Sequence, residues 1–298
     1  MILFFALFQI GFTQQAFAAK PSNYADNPAC IVRFLKNIGP PNLGAVSISE
    51  LPDHILIQAN KTQSKNALKL STIAWQELNE LEKLSDTIEE IADGNLAVIT
   101  PDLKKQLKAS RKYGSVLRDY YALFDEKHQA PKSFSSLVSR FGKLNDALAS
   151  ESSTEIIHSA KSLKKSLENS AYIEGIDDFN PANRKEFAAY AQKTVTEIQK
   201  LLSEESLNTD DYHLLRKQIR KLANYFLNQY AETANPSDQK IIDYLKSISE
   251  TMGDAHDQIV DESIKGVSDY HQQQLTLTPE LRARITQFMQ RVELDKTH

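Results

Sequence analysis

The chain has 298 residues, 41% hydrophobic and 25% charged, with a formal net charge of -4 at pH 7. That length supports one large domain or two small ones, each with an ample core. The single cysteine, Cys30, excludes an intramolecular disulfide and a multi-thiolate metal site, and only 9 Gly and 10 Pro interrupt long runs of Leu, Lys, Glu, Ala, Gln and Ser, a composition that favours helices over sheets.

The opening segment, MILFFALFQIGFTQQAFAA (1–19), carries no charged side chain, has an apolar stretch over Ile2 to Phe12 and ends in Ala16-Phe17-Ala18. It reads as a secretory signal peptide cut after Ala18 or Ala19, which makes the protein periplasmic or secreted. No Lys or Arg precedes the apolar run, so a start further upstream and retention as an anchor stand as alternatives, and burial as a core helix is a third. No later segment is apolar enough to span a bilayer, and no transmembrane segment is expected once the signal is removed. Cys30 reads as a small apolar residue near the start of the mature chain.

Residues 20–60 read as an irregular N-terminal extension: NIGPPNLG marks a turn region, and AVSISE followed by HILIQ suggests short extended pieces. From Lys61 the pattern becomes helical, and WQELNELEKLSDTIEEIA places Trp75, Leu78, Leu81, Leu84 and Ile88 at spacings of three and four beneath an acidic polar face. Breaks follow at DGN (93–95), TPD (100–102), QAPKS (129–133), IDDFNPAN (176–183), NTDD (208–211), ANPSD (234–238) and TLTPE (276–280). Several supply a helix N-cap or an early proline. The expectation is an all-α protein of about seven or eight helices.

Within the segment after NTDD, HLLRKQIRKL (213–222) divides sharply around a helical wheel. Leu215, Ile219, Leu222 and Phe226 form an apolar stripe, and His213, Arg216, Lys217, Arg220 and Lys221 fall roughly opposite. A basic stripe on one helix is usually a solvated face, but this one is repeated. A shift of 109 residues lays Lys104, Lys108, Arg111 and Lys112 on His213, Lys217, Arg220 and Lys221, and lays Tyr113, Leu117 and Tyr121 on Leu222, Phe226 and Tyr230. After a two-residue loop difference, Phe134, Leu137, Phe141, Gly142 and Asp146 meet Leu245, Ile248, Met252, Gly253 and Asp257. The chain thus contains two copies of one unit: basic helix, loop, second helix, then Gly-x-x-x-Asp. His158, Lys161 and Lys165 repeat the basic spacing between the copies and suggest a third helix on the same surface.

HLLRKQIRKLANYF followed by LKSISETMGDAHD resembles the CHAD family, the conserved histidine α-helical domain, and FGKLND is the best part of the looser first unit. The similarity covers about residues 100–265. The matched positions are His213, Arg216, Lys217, Arg220, Gly253 and Asp257; Lys104 and Leu107 stand in place of the family's first-unit histidine and arginine, and His256 in place of Asn or Arg. The resemblance implies a helical bundle domain over residues 61–298 with two pseudo-symmetric repeats, about 102–150 and 210–260, around a basic groove that holds inorganic polyphosphate without catalysis. The Glu-x-Glu-x-Lys signature of the triphosphatase domain often joined to such domains is not found.

The residues point to a polyanion independently. A phosphate chain has repeating charge and no sequence, so rows of Lys and Arg at helical spacing suit it. The candidate polyanion-binding residues are Lys104, Lys108, Arg111, Lys112, His213, Arg216, Lys217, Arg220 and Lys221. His213 should lean neutral beside four cations, and it reads as a phosphate donor, a residue that fixes a neighbour, or a surface group. Asp146 and Asp257 read as orienting basic side chains, with metal ligation the lesser alternative. No cofactor, metal or catalytic constellation is expected. Nucleic acid is the weaker polyanion because Tyr113, Tyr121 and Phe226 lie on the core stripe and not on a stacking platform. The alternative to an exported polyanion-binding protein is a periplasmic helical scaffold or adaptor with no polyanion ligand. N-terminal sequencing of protein from cell-envelope fractions is expected to begin at Ala19 or Lys20; an intact Met1 in a cytoplasmic fraction would remove the export assignment.

Overall fold

The structure is a computed structural model that describes residues 27–38, 46–78, 81–168, 179–264, 269–270 and 273–295. The expected signal segment and the centre of the NIGPPNLG turn lie outside the described residues. Ten α-helices are described: α1 (Pro28–Asn37), α2 (Lys61–Leu78), α3 (Leu81–Ala92), α4 (Pro101–Phe124), α5 (Lys132–Ser150), α6 (Ser153–Leu167), α7 (Arg184–Ser203), α8 (Thr209–Thr233), α9 (Pro236–Ile264) and α10 (Pro279–Arg291). The protein is an all-α helical bundle. Its described sheet consists of two short pairs, β1 (Ile55–Ile57) parallel to β4 (Val292–Leu294) and β2 (Leu207–Asn208) antiparallel to β3 (Gln274–Leu275). Among the described residues no helix is long and apolar enough to cross a membrane.

The helix starts follow the capping chemistry that the sequence announces. Thr100 caps α4 and Thr278 caps α10, each through its side-chain oxygen and each with proline next in line. Asn183 and Glu186 form a reciprocal capping box at α7, and Asn208 accepts from Asp211 N at α8. The count of seven or eight helices is corrected to ten described helices. One addition is α1, capped by Asn27 with Pro28 at its first turn. Another boundary, between α5 and α6, has no glycine or proline; Glu151 makes the turn in the left-handed region at φ 57°.

Residues 20–60, expected to be irregular, contribute to the main core in their described part. Cys30, Ile31 and Phe34 of α1 are buried, and Phe34 meets Tyr120 of α4 edge-on at 5.5 Å. Arg33 donates from Nε and Nη2 to the Ala231 carbonyl at 3.0 and 2.6 Å, fixing α1 to the end of α8. HILIQ does form a strand, whose register pairs Ile55 with Val292 and Ile57 with Leu294. Arg291 Nη1 reinforces that join by donating to the Ile48 and Leu51 carbonyls.

Two helical hairpins occupy the centre: α4 packs against α5, and α8 packs along α9. Helices α2 and α6 cover the first hairpin, with α3 packed on α6; α1 and α7 pack on α8. The hairpins meet where Tyr120 donates its hydroxyl to the Asn224 carbonyl at 3.0 Å. Beside it Phe124 stacks on Phe187 and Tyr225 at 5.7 and 6.4 Å. This apolar contact leaves the polar faces of α4 and α8 turned to the same side.

Helix α8 ends at Ala234 in the left-handed conformation, φ 56° and ψ 26°, with its N–H on the Tyr230 carbonyl. A Cβ is strained there and glycine is not. Ala234→Gly is expected to stabilise the protein by about 0.5–1 kcal/mol, the relief of strain less the added freedom of the unfolded chain. Urea unfolding would show this as a higher midpoint with an unchanged slope.

Candidate functional site

Helices α4, α5, α8 and α9 enclose an open cleft of about 800 Å³. Of the predicted binding residues, Lys108, Arg111, Lys112, His213, Arg216, Lys217 and Arg220 line it. The two basic stripes therefore face a common space. Lys104, at the start of α4, is not among the lining residues. Lys221 also turns elsewhere, donating to the Tyr190 hydroxyl at 2.8 Å with its ammonium 5.5 Å from that ring. The suggested third basic helix is α6, and its His158, Lys161 and Lys165 are exposed and away from the cleft. Its face packs on α3 and α5, where Lys164 pairs with Glu89.

Three further cations complete the lining: Arg118, Lys143 and Lys246. Arg118 and Lys246 were within reach of helical periodicity. Arg118 lies seven residues after Arg111, on the same face of α4. Lys246 begins the series 246, 250, 253, 257 that carries Gly253 and Asp257 on α9. Lys143 directly follows Gly142 and is exposed at the rim.

The two glycines explain how the arginines are seated. A Cβ built on Gly142 would lie 3.2 Å from Arg111 Nε, and one on Gly253 would lie 2.8 Å from Arg216 Cζ. Each guanidinium thus lies against a glycine of the facing helix: a Cβ at 253 would force Arg216 to move, and one at 142 would make Arg111 give by a few tenths of an ångström. Beyond the glycine a carboxylate assists. Arg111 Nη1 is 3.4 Å from Asp146 Oδ1, while Arg216 Nε donates to the Ser249 carbonyl at 3.1 Å, in the field of Asp257. The Arg111–Asp146 pair is exposed and contributes little to stability; its effect is to aim the arginine.

These contacts correct the register of the repeat. Arg111 and Arg216 play the same part, so the basic helices match at 216 - 111 = 105 residues, while the glycine helices match at 253 - 142 = 111. The shift of 109 is one turn too long on the first helix. At 105, Lys108-x-x-Arg111-Lys112 lies on His213-x-x-Arg216-Lys217, and Leu107 lies on Tyr212 and not on Arg216. Burial agrees: Leu107 and Tyr212 are both in the core, as are Leu117 and Leu222.

Arg220 differs from the others. It reaches across to α4 and donates to buried Asp119 from Nε at 2.7 Å and from Nη2 at 3.1 Å. Asn224 Nδ2 donates to the same carboxylate at 3.0 Å. Burial works against the Arg220 charge, but Asp119 outweighs it and the guanidinium pKa is raised. Lys217 and Arg118, with no such pairing carboxylate, are pushed down chiefly by burial. Lys246 falls to about 8 through burial and the neighbouring Lys112, and it donates to the Asn37 carbonyl.

His213 stacks on His256 with ring centroids 5.0 Å apart. Burial first, then Lys217, His256, Arg216 and Arg220, push it down to about 4. Among the described residues no group of three or more His, Cys, Asp or Glu is placed to hold a metal ion. Comparison of the chain with protein-family models, with curated proteins and with solved structures finds no match.

The depressed His213 pKa has a consequence for the unliganded protein. The unfolded chain takes up this proton near 6.5 and the folded chain only near 4, so between those values the unfolded state binds more protons. Stability is expected to fall as pH drops from about 6.5 to about 4 and to be unaffected by this group above that window. Urea midpoints measured across the window for the native protein and His213→Gln check it: the variant should show the shallower dependence.

Proposed function

We propose that this protein binds a linear phosphate-rich polyanion, inorganic polyphosphate above all, along the cleft and without chemical turnover. The observation that carries the reading is the convergence of nine cations from four helices on one concavity. Lys108, Arg111, Lys112 and Arg118 come from α4, Lys143 from α5, Arg216, Lys217 and Arg220 from α8, and Lys246 from α9; the lining carboxylates are three, Asp146, Glu250 and Asp257. Helices need no such concentration of like charge to pack, and it costs self-repulsion that an anion relieves. Phosphate oxygens suit both the arginine forks and the mobile lysine ammonium groups.

The preference for a phosphate chain over nucleic acid rests on the lining, where His213 is the one aromatic ring among the described residues; base stacking has little to work on. The likeness of His213-x-x-Arg216 and Gly253-x-x-x-Asp257 to the CHAD pattern supports the same ligand. The corrected register extends that likeness to Lys108-x-x-Arg111 in the first unit. With the signal-like start, the reading is of an exported binding protein.

Binding of long-chain polyphosphate is expected to weaken steeply with salt. Six contacts, for example from Lys108, Arg111, Lys112, Lys143, Arg216 and Lys217, give a log-log slope of about -4 by analogy with single-stranded nucleic acid. Lys108 and Lys143 are exposed, so Lys108→Glu with Lys143→Glu should leave the fold intact while lowering affinity at least tenfold. Lys61→Glu with Lys65→Glu, exposed on α2 and away from the cleft, makes the same charge change and should do little. Arg220 is a poor choice for such a test, since its loss strands buried Asp119. Equal losses from the two pairs would mean diffuse attraction without a site. No binding by the native protein at low salt would favour a helical scaffold that takes no polyanion.

A further inference from the structure

One end of the cleft is chemically distinct. Both nitrogens of His256 are engaged, Nδ1 at 3.3 Å from Asp257 Oδ1 and Nε2 at 3.0 Å from the Tyr270 hydroxyl. His213, stacked face to face with it at an interplanar angle of 26°, has a buried Nδ1 with no hydrogen-bond partner among the described residues. Around His213 stand Arg216, Lys217 and Arg220 on its own helix and His256 on α9. Lys108 and Arg111 of α4, Lys143 and Asp146 of α5, and Lys246, Glu250 and Asp257 of α9 face the same space.

A buried ring nitrogen without a partner is unfavourable, yet a proton arriving alone would add charge to a cationic wall. An anionic oxygen removes both obstacles, because it offsets the surrounding cations and accepts from the ring. We propose that His213 is a proton-coupled anion ligand: as a phosphate oxygen enters the cleft, the imidazole takes one proton from solvent and the resulting imidazolium donates a hydrogen bond to that oxygen. No bond to phosphorus forms or breaks. His256, held by Asp257 and Tyr270, presents its face to His213. The inference rests on the polyanion reading of the cleft and extends it to how the site is governed by pH. By linkage, an anion that raises the His213 pKa must bind more tightly as pH falls, down to the free-state value of about 4.

Titration calorimetry of the full chain with long-chain polyphosphate at pH 6, in two buffers of different ionisation enthalpy, counts the protons taken up. At pH 6 Lys246 is already charged, its pKa being about 8, and polyvinyl sulfate serves as a second probe with no titrating groups. Uptake of about one proton per occupied site is expected with both polymers, and Kd should fall by up to about tenfold per pH unit on acidification. His213→Gln should abolish the uptake, and His256→Gln should retain it. A native protein that binds without proton uptake overturns the inference and leaves the polyanion reading intact, whether or not the variants fold. Undiminished uptake in His213→Gln would transfer the proton to Asp146, Glu250 or Asp257, and loss confined to His256→Gln would transfer it to the partner ring; either overturns the assignment. No binding of either polymer at low salt between pH 5 and pH 8 overturns the underlying reading.

Discussion

The ion pair between Asp119 and Arg220 ties α4 to α8 beneath the cleft, and the cationic surface above depends on that tie. Two helices that each present Lys and Arg to one space repel one another, and an apolar contact alone does not fix how far they open. Asp119 is 3% exposed and accepts from Arg220 and Asn224 together, so its carboxylate has the hydrogen bonds that a buried charge requires. Tyr120, the next residue on α4, donates to the Asn224 carbonyl, so two consecutive residues of one repeat grip one residue of the other. Arg220 is for this reason part of the frame as much as part of the cleft wall.

Above that tie, the cleft is built by subtraction as well as by charge. Gly142 and Gly253 remove a side chain where Arg111 and Arg216 must cross to the neighbouring helix. A long guanidinium laid over bare backbone keeps its donors in a narrow range of directions, so less rotamer freedom is lost when a ligand arrives. Arg111 with exposed Asp146 and Arg216 with the Ser249 carbonyl are variants of one device at the two ends. The first end is open to water; the second, near His213 and His256, is withdrawn from it.

The fold class and most of the wall were legible in the sequence because both follow from helical periodicity: the apolar stripe through Leu215, Ile219 and Leu222 and the cations opposite it come from one wheel. What the wheel cannot read is translation along the axis. A slip of four residues rotates a helix by only about 40°, so an apolar stripe overlays nearly as well at 109 as at 105. The contacts of Arg111 and Arg216 with glycines on other helices separate the two registers, and the burial of Leu107 with Tyr212 agrees. The same blindness bears on Lys104, one turn before Lys108 and not among the lining residues; Lys221 is a matter of angle, about 100° past Arg220 and turned towards Tyr190. Helix α1 was missed for a different reason: it is only ten residues long and lies beside the NIGPPNLG turn, although Asn27 caps it, Pro28 opens it and Ile31 and Phe34 recur at helical spacing; its tie to α8 comes from Arg33 reaching a carbonyl nearly two hundred positions away.

The electrostatics of the wall divide its cations by the company they keep. Arg220, paired in the interior, is charged under all ordinary conditions. Lys217, Arg118 and Lys246 are pushed down by burial, with like-charged neighbours adding to the effect. Such groups hold their protons less firmly in the empty cleft than they would in water, and an anion that enters strengthens every one of them at once. On the proposed reading, part of the free energy of binding is the relief of repulsion already built into the fold. The aromatic packing of Phe124, Phe187 and Tyr225, outside the cleft lining, holds the helices together against that repulsion. On the proposed reading, substitutions that weaken this apolar contact should lower the protein's own thermal midpoint more than its midpoint with polyphosphate added, because the anion removes the force that the contact opposes.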